Sequence, residues 1–141
     1  MARTTHHPPA APLRLGIHGL GAVAQSVYLP LIGRLPDRFR VSAVCDLSAT
    51  LRDALGERCG VPAAARHASL GAMLDAGDLD GLVILVGGSH AEAAIAGMEA
   101  GLPVLCEKPL AHSLADVDAI AAAQARLDGR LLLAYMKQHD P

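Results

Sequence analysis

A doubly wound α/β fold, a parallel sheet of about six strands of the Rossmann type, is predicted by three observations. Short apolar runs alternate with helical patterns from Leu13 onward. A glycine-rich turn, Gly19-Leu20-Gly21-Ala22-Val23-Ala24, joins the first run to the first helical pattern. The chain is 52% hydrophobic yet holds only three aromatic residues, Tyr28, Phe39 and Tyr135, so its core is aliphatic. Aliphatic strands of this kind suit a sheet covered by helices on both faces, and strand–helix alternation with short connections makes that sheet parallel.

The elements follow in order. Leu13 to His18 is the first strand. A helix runs from Ala22 to about Leu35, interrupted at Pro30, whose ring removes an amide and crowds the preceding turn. Phe39 to Cys45 is the second strand, and Ser48 to Arg58 a helix closed by Gly60. A short strand is expected near Ala64 to His67, then a helix from Ser69 to Asp75. Leu82 to Val86, five apolar residues between glycines, is the least ambiguous strand. Ser89-His90-Ala91-Glu92 fits a capping box, in which Ser89 accepts an amide and Glu92 reaches back. Ala91, Ala94, Ile95, Met98 and Leu102 form that helix's core stripe, and Gly101 its stop. Pro103 to Cys106 is a strand. Ser113 opens a helix to about Leu127, with Asp116 and Asp118 near its positive end and Gly129 as its end. Leu131 to Met136 is the last strand.

A chain of 141 residues makes one domain, here residues 13–141 behind a disordered tail, 1–12, that contains His6-His7-Pro8-Pro9. The net charge of −2 argues against nucleic acid, which needs a clustered basic face. No apolar run approaches the roughly 18 residues of a membrane span. The amino terminus lacks the apolar stretch of a signal peptide. Cys45, Cys59 and Cys106 are odd in number and lack metal-ligand spacing, so no metal site is read and a reducing, cytoplasmic setting is inferred. Cys45 and Cys106 end apolar strands, where a thiol behaves as a small hydrophobe.

The glycine turn carries chemistry. Gly19 permits a tight turn, Gly21 lets a pyrophosphate approach the backbone, and Ala24 lets the helix pack closely on the strand. Leu20, Ala22 and Val23 complete a stretch whose free amides face phosphates at a helix start. Asp46 ends the second strand 22 residues after Ala24, where a carboxylate accepts hydrogen bonds from adenosine ribose hydroxyls. Asp46 or Ser48 could instead cap the next helix. Read together, turn and acid point to NAD or NADP. The like charge of Asp46 disfavours a 2′-phosphate and tips a slight preference to NAD, which Arg52, Ser48 and Arg66 could offset.

In Val104-Leu105-Cys106-Glu107-Lys108-Pro109-Leu110 an apolar strand stops at an acid, a base and a proline. Pro109 cannot continue a ladder, so Glu107 and Lys108 sit at a strand's carboxyl end, where open α/β sheets bind ligands. These segments, with Leu15-Gly16-Ile17-His18-Gly19-Leu20-Gly21, Val44-Cys45-Asp46, Ser89-His90-Ala91-Glu92, Gly101 through Ala111 and Tyr135 through Pro141, resemble the glucose-fructose oxidoreductase, inositol dehydrogenase and rhizopine-catabolism (Gfo/Idh/MocA) family over nearly the whole chain.

The resemblance implies an oxidoreductase that passes hydride between a nicotinamide and a sugar, cyclitol or similar alcohol. It places Glu107 and Lys108 beside the nicotinamide, with Lys108 the catalytic residue and Lys137 a weaker site candidate. The plainer reading is a solvated Glu-Lys pair ending a strand. The resemblance also sets His90 near the cofactor, the alternative being an exposed histidine at a helix start. Where the family often has Thr-Pro, this chain has Val86-Gly87-Gly88; a hydroxyl contact is lost, but close backbone approach at Gly87 is kept. His18 stands where an apolar residue is expected. The family's second domain, which supplies most of the substrate pocket, is absent from this sequence, so the chain reads as the cofactor-binding half. Its partners are then a sugar-like substrate, once a second domain completes the pocket, and other copies of itself through an uncovered apolar face. The competing readings are a non-catalytic dinucleotide-binding module and an α/β domain with no ligand.

Overall fold

The fold is built around β1, Leu13–His18, which lies between β2, Phe39–Cys45, and β4, Gly81–Ile84, and pairs with both in parallel. The computed structural model describes residues 11–135. The first ten residues of the expected tail, Met136 and Lys137 lie outside these. β3, Arg66–His67, flanks β2, while β5, Val104–Cys106, and β6, Leu131–Leu133, extend the other side. The order is β3-β2-β1-β4-β5-β6, with every pair parallel. This is the six-stranded doubly wound sheet the alternation predicts. Connections run in opposite directions from β1 and β4, which opens a crevice at their carboxyl ends.

Two aliphatic cores flank the sheet. Ile17, Val44 and Val83 meet Leu29 and Ile32 of α1, Leu29–Gly33, and Leu55 of α2, Ala49–Arg58. On the other face Ile84, Val104 and Cys106 meet α3, Leu70–Asp75, α4, Ala91–Glu99, and α5, Leu114–Leu127. The helices do not cover both faces equally. Along the cross-sheet row Ile17–Val83–Leu105–Leu132, exposure rises from 0% and 4% at the first two residues to 57% at Leu132. Leu13, Leu31, Leu105 and Leu132 line an apolar groove of about 330 Å³ on this face.

Four local expectations change. The first helix is not broken at Pro30. The segment Ala24–Tyr28 is instead π-helical, closed by the Leu29 amide on the Ala24 carbonyl, and continues into α1 with Pro30 in its first turn. Pro30 lies inside this continuous helix, directly after the π segment, and its missing amide leaves a carbonyl of the preceding turn without its usual intrahelical donor. Ser89 does not close a capping box. The N-cap of α4 is His90, without a side-chain cap; Ser89 Oγ accepts the Ala91 amide at 3.4 Å and donates to the Asp116 carboxylate at 3.2 Å. Gly101 does end α4 as expected: with φ +75° it forms a Schellman turn, Leu102 N–H to Gly97 O and Gly101 N–H to Met98 O. At the end of α5, however, the left-handed residue is Asp128, with φ +50°. Gly129 is needed for packing, since a Cβ there would lie 2.5 Å from Met98 Sδ. Finally, β4 ends at Ile84 and β6 at Leu133, both short of the expected bounds, because Val86 and Ala134 already turn into the loops that rim the crevice.

Candidate cofactor cleft

Gly19 leaves β1 in a left-handed conformation, φ +97°. A Cβ there would fall 2.6 Å from the Val86 amide nitrogen, so both conformation and space demand glycine. Its amide donates to Cys45 O at 2.8 Å, and Leu85 N–H donates to His18 O at 2.7 Å, lacing three strand ends together. Leu20 buries its side chain fully in the core. Its amide donates to Asp46 Oδ2 at 2.8 Å, so Leu20 offers the cleft neither side chain nor free amide. Gly21, Ala22 and Val23 begin the helix, and first-turn amides have no partner within a helix.

Asp46 uses its second oxygen, Oδ1, to accept the Ser48 amide at 2.8 Å. Ser48, and not Asp46, is the N-cap of α2, accepting the Leu51 amide. Arg52 Nη1 donates to the carbonyls of Asp46 and Leu47, at 2.7 and 3.1 Å. Arg66 donates to Val61 O and stands 3.7 Å from Asp53. Both guanidinium groups are therefore held by partners of the fold.

A cleft of about 520 Å³ opens over these strand ends. His18, Gly19, Gly21, Asp46, Ser69 and Gly87 are among its lining. A Cβ at Gly21 or Gly87 would meet no atom within 4 Å, the opposite of Gly19. The backbone is thus bared toward empty space where the turn meets the helix, and a dinucleotide fits there: bare backbone for phosphates, a carboxylate for ribose and sufficient volume. Ser69 and Leu70 also reach this cleft; the sequence pattern placed them on α3 but gave no sign that they faced a ligand.

The two histidines differ from expectation. His90 is 2% exposed, not a surface residue. Its Nε2 stands 2.7 Å from Val86 O, so Nε2 carries the proton and Nδ1, buried without a partner among the described residues, is an acceptor. The ring braces the loop after β4 and is not among the cleft's lining residues. His18 does line the cleft, with Nδ1 buried and unpartnered. Burial pulls its pKa below the ordinary 6.5, opposed by the charge of Asp46 and reinforced by nearby His90.

Glu107 follows β5 with its amide on Ile84 O at 3.0 Å, and neither it nor Lys108 is among the residues that line the 520 Å³ cleft. Its carboxylate accepts the Tyr28 hydroxyl on Oε1 and the Lys108 amide on Oε2, both at 2.9 Å. Lys108 is exposed, and its amine forms no ion pair among the described residues. The Lys108–Pro109 peptide is cis. The thiols are poor nucleophiles: burial, aided by Asp46 and Glu107, pushes Cys45 and Cys106 up to about 11. Burial also raises Cys59. No group of three or more metal-ligating side chains forms among the described residues, and no helix among them is long and apolar enough to cross a membrane.

A glycine turn after β1, an acid after β2 and a crevice at the β1/β4 switch point define a dinucleotide-binding Rossmann domain. Residues 13–135 match the Gfo/Idh/MocA oxidoreductase family, NAD-binding Rossmann fold, and the chain belongs to that family. It is 34% identical over 123 residues to a putative UDP-kanosamine synthase oxidoreductase subunit of Amycolatopsis mediterranei, covering 86% of this chain and 32% of that protein. The fold superposes on the WlbA dehydrogenase of Chromobacterium violaceum, solved with NADH and UDP-GlcNAcA, with a TM-score of 0.84 and 26% identity. That match covers 96% of this chain and 39% of the other. The myo-inositol 2-dehydrogenase of Lactobacillus plantarum gives a TM-score of 0.80 and 26% identity over 92% of this chain and 38% of its own. The chain thus spans less than two fifths of the length of these proteins.

Proposed function

We propose that this chain is the cofactor-binding half of an NAD-dependent oxidoreductase acting on a sugar, cyclitol or similar alcohol. The observation that carries this reading is the open space over Gly21 in a cleft that Asp46 and Gly87 also line. The amides of Gly21, Ala22 and Val23 bind the pyrophosphate, and Asp46 receives the ribose hydroxyls on the remaining lone pairs of its oxygens. NAD is favoured over NADP, because the charge of Asp46 repels a 2′-phosphate, while Arg52 Nη1 beside it is taken up by the carbonyls of Asp46 and Leu47 and Arg66 lies by Val61 O and Asp53. Gly87 lets the loop after β4 pass close to the cofactor, and His90 shapes that loop from beneath.

When bound, the nicotinamide supplies or accepts the hydride exchanged with the carbon of a substrate alcohol or ketone. Lys108, exposed and unpaired among the described residues, holds the substrate oxygen and stabilises the negative charge that develops on it. Glu107 fixes the backbone at Lys108. The remaining walls of the substrate pocket come from sequence beyond these residues, as the relatives' greater length supports. The free thiols fit a reducing, cytoplasmic setting. The uncovered apolar face between β1 and β6 favours self-association, and light scattering that shows a monomer at high concentration counts against it.

The test is a titration with NADH and NADPH followed by nicotinamide fluorescence. Saturable binding is expected, tighter for NADH. Gly21→Val is expected to abolish it while leaving the circular dichroism and melting curve in place, because its side chain enters space that the fold leaves empty. Equal binding by this variant overturns the reading.

A further inference from the structure

Glu107 is held from two directions. One oxygen accepts the Tyr28 hydroxyl, 79 residues away in sequence, and the other accepts the amide of Lys108. Tyr28 lies on the helix that starts at the glycine turn, within two turns of the bare amides of Gly21 to Val23. The same helix therefore meets the proposed pyrophosphate site at its start and the proposed reacting end further along.

The π-helical segment Ala24–Tyr28 lies between them. A π turn inserts one extra residue, about 100° of helix phase, so later side chains point in a different direction from those of an unbroken α-helix. Such turns are uncommon, and here the segment ends on the residue that contacts Glu107. Tyr28 is also one of only three aromatic residues in the chain. A half-buried phenol beside a carboxylate is stable because a charged acceptor makes a strong hydrogen bond. Burial and that carboxylate push the phenol's titration upward, so it stays a donor throughout the neutral range.

We propose that Tyr28 is a positioning residue for the reaction: through Glu107 it sets the backbone of Lys108, and so places the Lys108 amine at the nicotinamide end of the cleft. This role rests on the cleft being a dinucleotide site. Tyr28 touches no reacting atom. Its hydroxyl acts through one carboxylate, so its removal is felt at one end of the cofactor and not the other.

The experiment uses the full chain, with NADH and ADP-ribose as probes, the second lacking the nicotinamide. Tyr28→Phe keeps the ring and removes the hydroxyl. It is expected to weaken NADH about five-fold and leave ADP-ribose affinity within about two-fold. Adding it to Glu107→Ala should produce no further loss, because the two residues act as one unit. If Tyr28→Phe binds NADH as tightly as the parent, the positioning role is overturned while the cofactor reading stands. If both probes weaken together with a fall in melting temperature, Tyr28 is structural only and the proposal also fails. If the parent chain binds neither probe, the cofactor reading itself is wrong, and this proposal falls with it.

Discussion

Asp46 and Glu107 stand at the carboxyl ends of β2 and β5, and each commits both oxygens to hydrogen bonds within the fold. What they hold differs. Asp46 ties two backbone amides, Leu20 and Ser48, in turns that follow neighbouring strands. Glu107 ties one backbone amide and one side chain brought by a distant helix. The first acid fastens the frame of the cleft. The second takes its position from an element that must first be folded and phased correctly. Asp46 thus ties neighbouring turns together, whereas Glu107 ties a distant helix to its strand end.

Substitutions can break this contrast. Gly19→Ala comes first, because it removes the frame both acids share: a left-handed φ and a Cβ against backbone cost on the order of 3 kcal/mol or more. Urea unfolding should show the largest fall in stability of the three variants. Asp46→Ala leaves the amides of Leu20 and Ser48 without their acceptor, at about 2 kcal/mol for partly buried donors. The same denaturation should show it, together with loss of NADH binding. Glu107→Ala should cost about 1 kcal/mol or less and act mainly on NADH affinity. Equal destabilisation by the two alanine variants would erase the distinction.

His18 sharpens the comparison by its response to pH. Its folded pKa lies below 6.5, so between these two values the unfolded chain binds more protons and stability rises with pH. Stability is full above about pH 6.5 and is lost as the pH falls toward the folded value. The charge of Asp46 opposes the depression, so Asp46→Asn should extend the loss to lower pH, whereas Glu107→Gln should leave the profile unchanged. His18→Leu removes a buried nitrogen without a partner and should add about 1 kcal/mol while abolishing this slope. Thermal melts between about pH 5 and pH 8 measure all three. Asp80, which Arg14 holds down to about 2, responds only in stronger acid.

Most of the frame was legible because each strand is a local apolar run and each cleft glycine sits at a strand end. Parallel order, the Gly19 turn and Asp46 all follow from spacing. The misses share a cause. Tyr28 has no local signature: its contact depends on a π turn, and hydrophobic periodicity assumes a constant phase. Ser89 matched a capping pattern, yet its hydroxyl found Asp116, 27 residues away. Gly129 closes the end of α5 with its amide on Gln124 O, yet the left-handed residue is Asp128, and what the lack of a side chain at 129 makes room for is Met98. The sequence offers His90 a place near the cofactor or an exposed helix start, and neither reveals the Val86 carbonyl that holds its buried ring. Tertiary partners decided each of these.

The row from Ile17 to Leu132 has a consequence in time. Amides in the carboxyl half of β1, around the fully buried Ile17, sit in the middle of the sheet and exchange with solvent deuterium only on large-scale opening. β6 is an edge strand with one face toward water, and it can part from β5 while the rest stays folded. Amide exchange should therefore slow strand by strand from β6 through β5 and β4 to β1. A protein or segment that settles on the uncovered face would announce itself first as a slowing at β6.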